Sequence, residues 1–319
     1  MTVLLDEAVS ALRPIAGGTY VDATFGGGGH SSLLLSWRPP VARVIAIDAD
    51  RDAESRARTL ATRSGDDGRL TFARQNFRDL ASILDDLDIN QVDGVLFDLG
   101  LSSFQLDESA RGFSFRADAP LDMRFDQGSG VPASTIVNSL AESDLAEILW
   151  RLGEERQSRR IAAAVARARE RSPIRTTQEL AAIIENAVGG RRGAAIHPAT
   201  RSFQALRIHV NEELAALSNA LLAATGALAP GGRLVVISFH SLENRIVKRF
   251  IEAEARTCVC PPDQPVCTCD TIPRLTRIGR PVRPGQPEID DNPRSRSAIM
   301  RVAERLDHTG AVVGQGSRQ

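Results

Sequence analysis

The sequence Tyr20-Val-Asp-Ala-Thr-Phe-Gly-Gly-Gly-Gly-His-Ser31 determines how the rest of this chain is interpreted. Tyr20 and Val21 favour a short β-strand that ends at Asp22. Consecutive glycines follow, and the apolar run Leu33–Leu35 indicates the start of a helix. A strand, a glycine turn and a helix N-terminus together hold charged or phosphorylated cofactors in α/β proteins. Glycine permits the sharp turn and the approach of a ligand, and the helix N-terminus favours an anion.

Two further apolar strands also end in an aspartate. Arg43–Ile47 leads into Asp48, and Val92–Phe97 leads into Asp98. Asp48 follows the glycine turn by about 20 residues, where α/β folds place a carboxylate on the ribose hydroxyls of a cofactor. Because ligands bind at the carboxyl edge of a parallel sheet, we expect these acids to line a cofactor site. Phe77, after the strand Leu70–Gln75, suits either the core or a surface on which an adenine rests.

From Gln105 the alternation of strand and helix stops. An aromatic segment, Gly112–Asp126, is predicted to be an ordered loop, and helices follow, one opened by a capping box at Thr176–Glu179. A single long helix is predicted to carry the apolar residues from Phe203 to Leu221. The sheet pattern then resumes with the strands Arg233–Ser238 and Ser297–Ala303.

We therefore predict an α/β, Rossmann-like fold with a mostly parallel sheet and an inserted all-helical domain. The sheet domain is expected in two parts, residues 1–104 and 211–306, and the helical insertion at residues 105–210. Residues 307–319 are polar and are expected to form a disordered tail.

Composition and charge narrow the class of protein. The 319 residues are 42% hydrophobic and 25% charged, which is typical of a soluble globular protein. The N-terminus has no basic segment, so we expect no signal peptide and a cytoplasmic location. The net charge is −1, but 8 arginines against 3 acids lie between Arg151 and Arg175. These arginines suit either an RNA-binding face or a solvated helix face.

The residues distinguish between cofactors. A dinucleotide fingerprint starting at Gly26 and Gly28 requires a third glycine where this chain has Ser31. No lysine follows the glycines, which excludes a nucleoside triphosphate loop. S-adenosylmethionine fits better, because its ribose needs an acid and its adenine an apolar surface. The negative charge of Asp98 suits the positively charged sulfonium of S-adenosylmethionine.

The motifs are specific enough to indicate a family. The chain closely resembles the bacterial rRNA methyltransferases that methylate N4 of a cytidine in the decoding region of 16S rRNA. The resemblance covers nearly the whole chain and rests on these segments: Val3-Leu-Leu-Asp-Glu-Ala8, Val21-Asp-Ala-Thr-Phe-Gly26, Gly28-Gly-His-Ser31, Phe97-Asp-Leu-Gly-Leu-Ser-Ser103, Arg111-Gly-Phe-Ser-Phe115, Pro120-Leu-Asp-Met-Arg124, Gly153-Glu-Glu155, His197-Pro-Ala-Thr-Arg201, Phe203-Gln-Ala-Leu-Arg-Ile208, Ile237-Ser-Phe-His-Ser-Leu242 and Asn292-Pro-Arg-Ser-Arg-Ser297.

The resemblance implies a class I methyltransferase sheet with an inserted helical domain that recognises RNA. It implies 16S rRNA as the partner, within the small ribosomal subunit, and leaves monomer or homodimer open. It also implies contacts to S-adenosylmethionine at Gly28, Gly29, His30, Asp48, Phe77, Asp98 and Gln105. The chain departs from the family pattern in three places. The family usually has several residues, including a histidine, before the Val3-Leu-Leu segment; Phe104 replaces a usual proline; and the cluster of Cys258, Cys260, Cys267 and Cys269 is not part of the family pattern.

The chemistry requires help for a weak nucleophile, the exocyclic amine of cytosine. A group that accepts a hydrogen bond from this amine localises its lone pair, and Asp98, Ser102 and Ser103 are the candidate side chains. His240, just past a strand end, suits contact with the base or removal of the proton. A histidine in that place is also commonly a structural hydrogen-bonding residue.

Other classes of protein remain as alternatives. A nicotinamide-dependent oxidoreductase would have to tolerate Ser31, and a non-enzymatic RNA-binding assembly factor would tolerate loss of Asp98. A DNA methyltransferase acting on N4 usually has an Asp/Ser-Pro-Pro-aromatic segment after the fourth strand. This chain has Asp98-Leu-Gly-Leu101 instead.

All four cysteines lie in one segment, Cys258-x-Cys260 and Cys267-x-Cys269. Four thiolates can form a tetrahedral zinc site, but Cys-x-x-Cys spacing is more typical of one. The sequence therefore favours a reduced surface loop, and no metal ligand is assigned.

Overall fold

A computed structural model describes residues 2–63, 68–102, 109–191, 196–261, 264 and 266–307. The chain divides into two compact units. The sheet unit lies within Met1–Asp48, Ala53–Gly100 and Leu217–Gln319, and the helical unit comprises Ala49–Asp52 and Leu101–Ala216. The segment expected as a helical insertion, 105–210, falls inside the range of the helical unit.

The strands of the described residues form one sheet in the order β3-β2-β1-β4-β5-β7-β6. Neighbours from β3 to β5 run parallel, and β7 runs antiparallel to both β5 and β6. This arrangement confirms the predicted α/β, Rossmann-like class with a mostly parallel sheet. The strands are β1 Thr19–Asp22, β2 Arg43–Ile47, β3 Leu70–Ala73, β4 Val92–Asp98, β5 Leu228–Ser238, β6 Leu275–Val282 and β7 Ile299–Arg305.

Helices occur in both units. In the described residues they are α1 Leu5–Leu12, α2 Gly29–Ser36, α3 Arg51–Arg63, α4 Leu80–Asp86, α5 Ala133–Ser139, α6 Glu142–Gly153, α7 Ser158–Arg169, α8 Thr177–Val188, α9 Thr200–Val210, α10 Glu213–Ala227, α11 Ser241–Glu254 and α12 Gln286–Asp291. The capping box predicted at Thr176 is confirmed. The Thr176 side chain accepts a hydrogen bond from the N–H of Glu179, and the Glu179 carboxylate accepts one from the N–H of Thr176. No helix among the described residues has the length and apolar character needed to cross a bilayer.

The central strands are buried on both faces, so their sequences are almost continuously apolar. Successive side chains on β4 enter different hydrophobic clusters, Val95 and Phe97 on one face and Leu96 on the other. Tyr20 and Val21 on β1 divide in the same way. The buried middle of β4, Gly94–Phe97, is apolar, and the strand places polar Asp98 at its carboxyl end.

The helical unit has its own core and includes the ordered loop predicted at Gly112–Asp126. Buried Arg111 pairs with Asp50 at 3.2 Å and donates hydrogen bonds to two carbonyl groups of the loop. Gly112 has φ 73°, and a Cβ there would collide with the carbonyl oxygen of Pro120. The loop is therefore fixed by backbone contacts that only glycine permits at this position.

The single long helix predicted from Phe203 to Leu221 is wrong. The chain breaks between α9 and α10, where Glu212 adopts φ 49°. The Asn211 side chain donates to the carbonyl of Met123 and accepts from the N–H of Phe125. Apolar spacing continues through the break, so periodicity alone gives no sign of it.

Candidate functional site

The glycine turn between β1 and α2 is held by hydrogen bonds to its backbone. The N–H of Gly26 donates to Oδ2 of Asp48 at 2.7 Å. Its carbonyl accepts from Nε of Arg56 at 2.8 Å. The acid that the sequence associates with a cofactor ribose therefore also fixes the turn, through one of its oxygens.

Two of the glycines are required by the packing of the turn itself. Gly28 has φ 76°, and a Cβ there would lie 2.6 Å from Cζ of Phe25, far inside carbon–carbon contact distance. A Cβ on Gly29 would collide with the side chain of Thr2. The chain's own side chains thus explain these glycines, and the ligand approach expected from the sequence remains a separate prediction.

The carboxylate of Asp22 lies at the N-terminus of α2. Asp22 is 1% exposed; its Oδ2 accepts from the hydroxyl of Ser31 at 2.7 Å and its Oδ1 from the N–H of Thr24. Burial raises the pKa of Asp22 to about 6, and the hydrogen bonds from Ser31 and Thr24 oppose that rise. The anion that the helix N-terminus favours is therefore supplied by the chain.

His30 and Asp98 lie next to this carboxylate. Nδ1 of His30 is 3.8 Å from Oδ2 of Asp98. Burial lowers the pKa of His30 to about 4, so its ring is neutral at neutral pH. Nε2 of His30 and Oδ1 of Asp98 are buried and have no hydrogen-bond partner among the described residues.

Asp98 lies in a strongly negative environment at the end of β4. Its pKa is raised well above the usual value, first by burial and then by the negative charges of Asp22, Glu243 and Glu288. A carboxyl of this kind holds its proton until a cation approaches and then ionises. The arrangement is chemically suited to a positively charged ligand.

Phe77 starts a turn of 3-10 helix after β3 and is partly buried. Its ring meets Phe97 edge to face, with centroids 5.8 Å apart. Part of the ring therefore belongs to the core, which is one of the two interpretations that the sequence allowed. The contact of Phe77 with adenine stays a prediction.

His240 is the N-cap of α11. Its Nδ1 accepts from the N–H of Glu243, and its Nε2 lies 3.1 Å from Oε1 of the same residue. The other glutamate oxygen accepts from the N–H of Phe239 at 2.8 Å. Both ring nitrogens thus face one buried glutamate, which favours the structural alternative for His240 over a role in proton transfer.

The remaining predicted residues lie in other parts of the chain. Ser102 follows β4, is partly buried and belongs to the helical unit. Ser103 and Gln105 lie outside the described residues. Sequence reasoning missed Glu243 and Glu288. The pattern His240-x-x-Glu243 is a capping box and could have revealed the first, whereas no local signal marks Glu288, which accepts from the N–H of Leu4.

The MraW methylase family matches residues 1–306. The chain belongs to this family. A ribosomal RNA small subunit methyltransferase H from Thermomicrobium roseum is 54% identical, over 97% of this chain and 94% of that protein. Proteins of the same name from Syntrophotalea carbinolica and Dehalococcoides mccartyi are 48% and 50% identical. Those two matches cover 96% and 97% of this chain, and 97% and 87% of the respective relatives.

The hydrogen bond from Ser31 to Asp22 gives a testable dependence of stability on pH. The pKa of Asp22, about 6 in the folded chain, exceeds its unfolded value, so its ionisation lowers stability as pH rises from about 4 to about 6. Ser31→Ala removes a donor to the carboxylate. We expect it to lower the free energy of unfolding by about 1.5–3 kcal/mol near pH 7.5, and by less near pH 4.5.

The measurement is urea denaturation at both pH values. Ser36→Ala is the matched control, because its exposed hydroxyl donates to the carbonyl of Leu33 in the same helix. Its effect should not change with pH. An equal loss for Ser31→Ala at both pH values would contradict the pairing with an ionised Asp22.

Proposed function

We propose that this methylase transfers a methyl group from S-adenosylmethionine to the exocyclic N4 amine of a cytidine in the decoding region of 16S rRNA. The observation that carries the proposal is the family match over residues 1–306. Relatives named as small-subunit rRNA methyltransferases support it, since they are alike over nearly their whole length. A nicotinamide enzyme, a DNA methyltransferase or a non-enzymatic assembly factor is disfavoured on the same grounds.

The electrostatics of the sheet unit fit this cofactor. S-adenosylmethionine, when bound, supplies a methyl group on a positively charged sulfur. Asp22 and Asp98 provide negative charge at the strand ends, and Oδ1 of Asp98 is a buried acceptor that no described residue bonds to. Because Asp22 already neutralises the N-terminus of α2, that helix end is a poor phosphate site, which argues against a dinucleotide.

The proposed cofactor contacts follow the family pattern. Asp48 accepts hydrogen bonds from the ribose, and the outer part of the Phe77 ring supports the adenine. His30, which is neutral, donates or accepts through Nε2 without adding a charge. Gly28, Gly29 and Gln105 complete the set of residues that the family pattern assigns to the cofactor.

Asp98 is the proposed catalytic residue. As a carboxylate, Asp98 accepts a hydrogen bond from the target amine, and this bond localises the nitrogen lone pair. Asp98 then receives the proton that the amine releases on methylation. Ser102 and Ser103 are alternative acceptors. His240 is assigned the structural role of holding the start of α11, because its ring nitrogens face Glu243.

The helical unit is the proposed RNA-recognition domain. Arg159, Arg160 and Arg167 are exposed on α7, where guanidinium groups can reach phosphates. The target base must leave its stack to be methylated, so flanking contacts have to hold the RNA strand. The partner is the small ribosomal subunit, and the reaction takes place in the cytoplasm.

Mapping of modified nucleosides tests the proposed function. We expect labelled S-adenosylmethionine to deliver a methyl group to N4 of one decoding-region cytidine in small subunits that lack this modification. Naked 16S rRNA and cytosine-containing DNA are compared in parallel by mass spectrometry. Methylation of DNA alone, of another position, or of no nucleic acid would overturn the proposal.

Replacing Asp98 separates binding from catalysis. We expect Asp98→Asn to lower the single-turnover rate by about 100-fold, because the acceptor loses its charge. The wild type should prefer S-adenosylmethionine over S-adenosylhomocysteine, which lacks the sulfonium charge, increasingly as pH rises, since the raised pKa of Asp98 keeps it protonated at low pH. In calorimetric titrations the variant should lose the part of this pH dependence that Asp98 contributes and keep the part due to Asp22, whose pKa is about 6.

Asp93→Asn is the control, because Asp93 lies on the same strand but bonds to the N–H of Thr19. It should retain the pH dependence. A variant Asp98→Asn that binds the cofactor weakly yet methylates normally at saturation would reduce Asp98 to a cofactor ligand.

The RNA contacts predict a change in salt dependence. If Arg159, Arg160 and Arg167 contact phosphates, their joint replacement by glutamine should flatten the plot of log affinity against log salt. The expected change is about 0.7–0.9 per lost contact. A triple control replaces the exposed Arg38, Arg58 and Arg63 of the sheet unit. Equal slopes for both triple variants in filter-binding assays would assign the α7 arginines to a solvated face.

A further inference from the structure

The four cysteines converge in the segment between α11 and β6, residues 255–274, here called the cysteine loop. Their Sγ atoms all lie within 4.8 Å of one another. Cys258 and Cys267 are 3.5 Å apart, Cys267 and Cys269 3.4 Å, and Cys258 and Cys269 3.6 Å. Cys260 lies 3.9 Å from Cys267. Sequence spacing alone did not predict that both Cys-x-Cys pairs would meet at one point.

These separations match a metal site better than disulfides. All four cysteines are free, and the measured separations far exceed a disulfide bond of about 2.05 Å. Four sulfurs placed tetrahedrally around zinc at about 2.3 Å lie about 3.8 Å from one another. The four separations given above, 3.4–3.9 Å, lie close to that value, three of them slightly below it.

Burial in a hydrophobic core does not account for the gathering of the thiols in the cysteine loop. None of its described residues is buried, and Val259, Val266 and Ile272 are each at least 60% exposed. Its base is closed where the N–H of Arg274 donates to the carbonyl of Glu254, and within it the side chain of Gln264 donates to Val266 and Thr268. The described residues from Cys258 to Cys269 form no helix or strand, and a segment without a core or regular structure is usually either disordered or held by a ligand.

Backbone donors also point at the sulfurs. The N–H of Val259 donates to Sγ of Cys269 at 3.3 Å, and the N–H of Cys260 donates to Sγ of Cys258 at 3.4 Å. Such hydrogen bonds offset the negative charge that thiolates carry when they bind a metal. They would contribute little to four neutral thiols at a protein surface.

We propose that Cys258, Cys260, Cys267 and Cys269 bind one structural Zn²⁺ ion that fixes the cysteine loop. The four thiols release their protons to solvent as the metal–sulfur bonds form, and no redox step is involved. All four ligands come from protein, so the site is closed and does not activate water. The proposal is independent of the methyl-transfer reaction.

Metal analysis of the full-length chain tests the site directly. We expect about one zinc per chain after purification under reducing conditions, and loss of that zinc in Cys258→Ser and Cys269→Ser. Val266→Ala, an exposed change between the cysteine pairs, should retain it. Cobalt added to the metal-free chain should give the strong near-ultraviolet absorption of thiolate ligation.

A second measurement avoids dependence on variants that fail to fold. Removal of zinc from the wild-type chain by a chelator should expose the cysteine loop, so that trypsin cleaves after Arg256 several times faster. Added zinc should restore the protection. Zinc that remains in both cysteine variants, iron in its place, four thiols that titrate identically with and without zinc, or unchanged cleavage would overturn the proposal.

Discussion

The buried carboxylate of Asp22 is the group on which the cofactor edge of the sheet depends. It joins the end of β1 to the start of α2 through Ser31, and it places a negative charge where many α/β proteins bind a phosphate. The same charge helps to raise the pKa of Asp98. One internal anion thus converts a site suited to phosphates into one suited to a cation, which a sulfonium cofactor requires.

The conformation of the glycine turn is constrained by neighbouring residues of the chain itself. Phe25 and Thr2 occupy the space that side chains at Gly28 and Gly29 would need. One carboxylate oxygen of Asp48 accepts a hydrogen bond from the N–H of Gly26, and this bond positions the Asp48 side chain. Preorganisation of this kind means that a bound cofactor does not have to order the turn, so less of its binding free energy is lost to ordering.

The sequence predicted the parallel strands well because full burial makes them continuous apolar runs that end in acids. It did not predict β6, whose residues after Leu275 are mostly exposed and include Gly279 and Pro281, so the edge strand carries no apolar alternation. The break at Asn211 was missed because it depends on contacts with the distant Met123 and Phe125. The acid cluster was only partly predictable: a capping box marks Glu243 locally, but the approach of Glu243 and Glu288 to Asp98 depends on tertiary structure.

The pairing of β4 with β5 has a consequence for how the chain folds. Val95 pairs with Leu234, and the long segment of the helical unit, Leu101–Ala216, lies between them in sequence. Closing a long flexible loop costs more conformational entropy than closing a short one, and nonlocal pairings slow folding. The helical unit has its own core, with contacts that are comparatively local. We expect the helical unit to form early. Once it is compact, the flexible chain that separates β4 from β5 is shorter, and their pairing costs less conformational entropy.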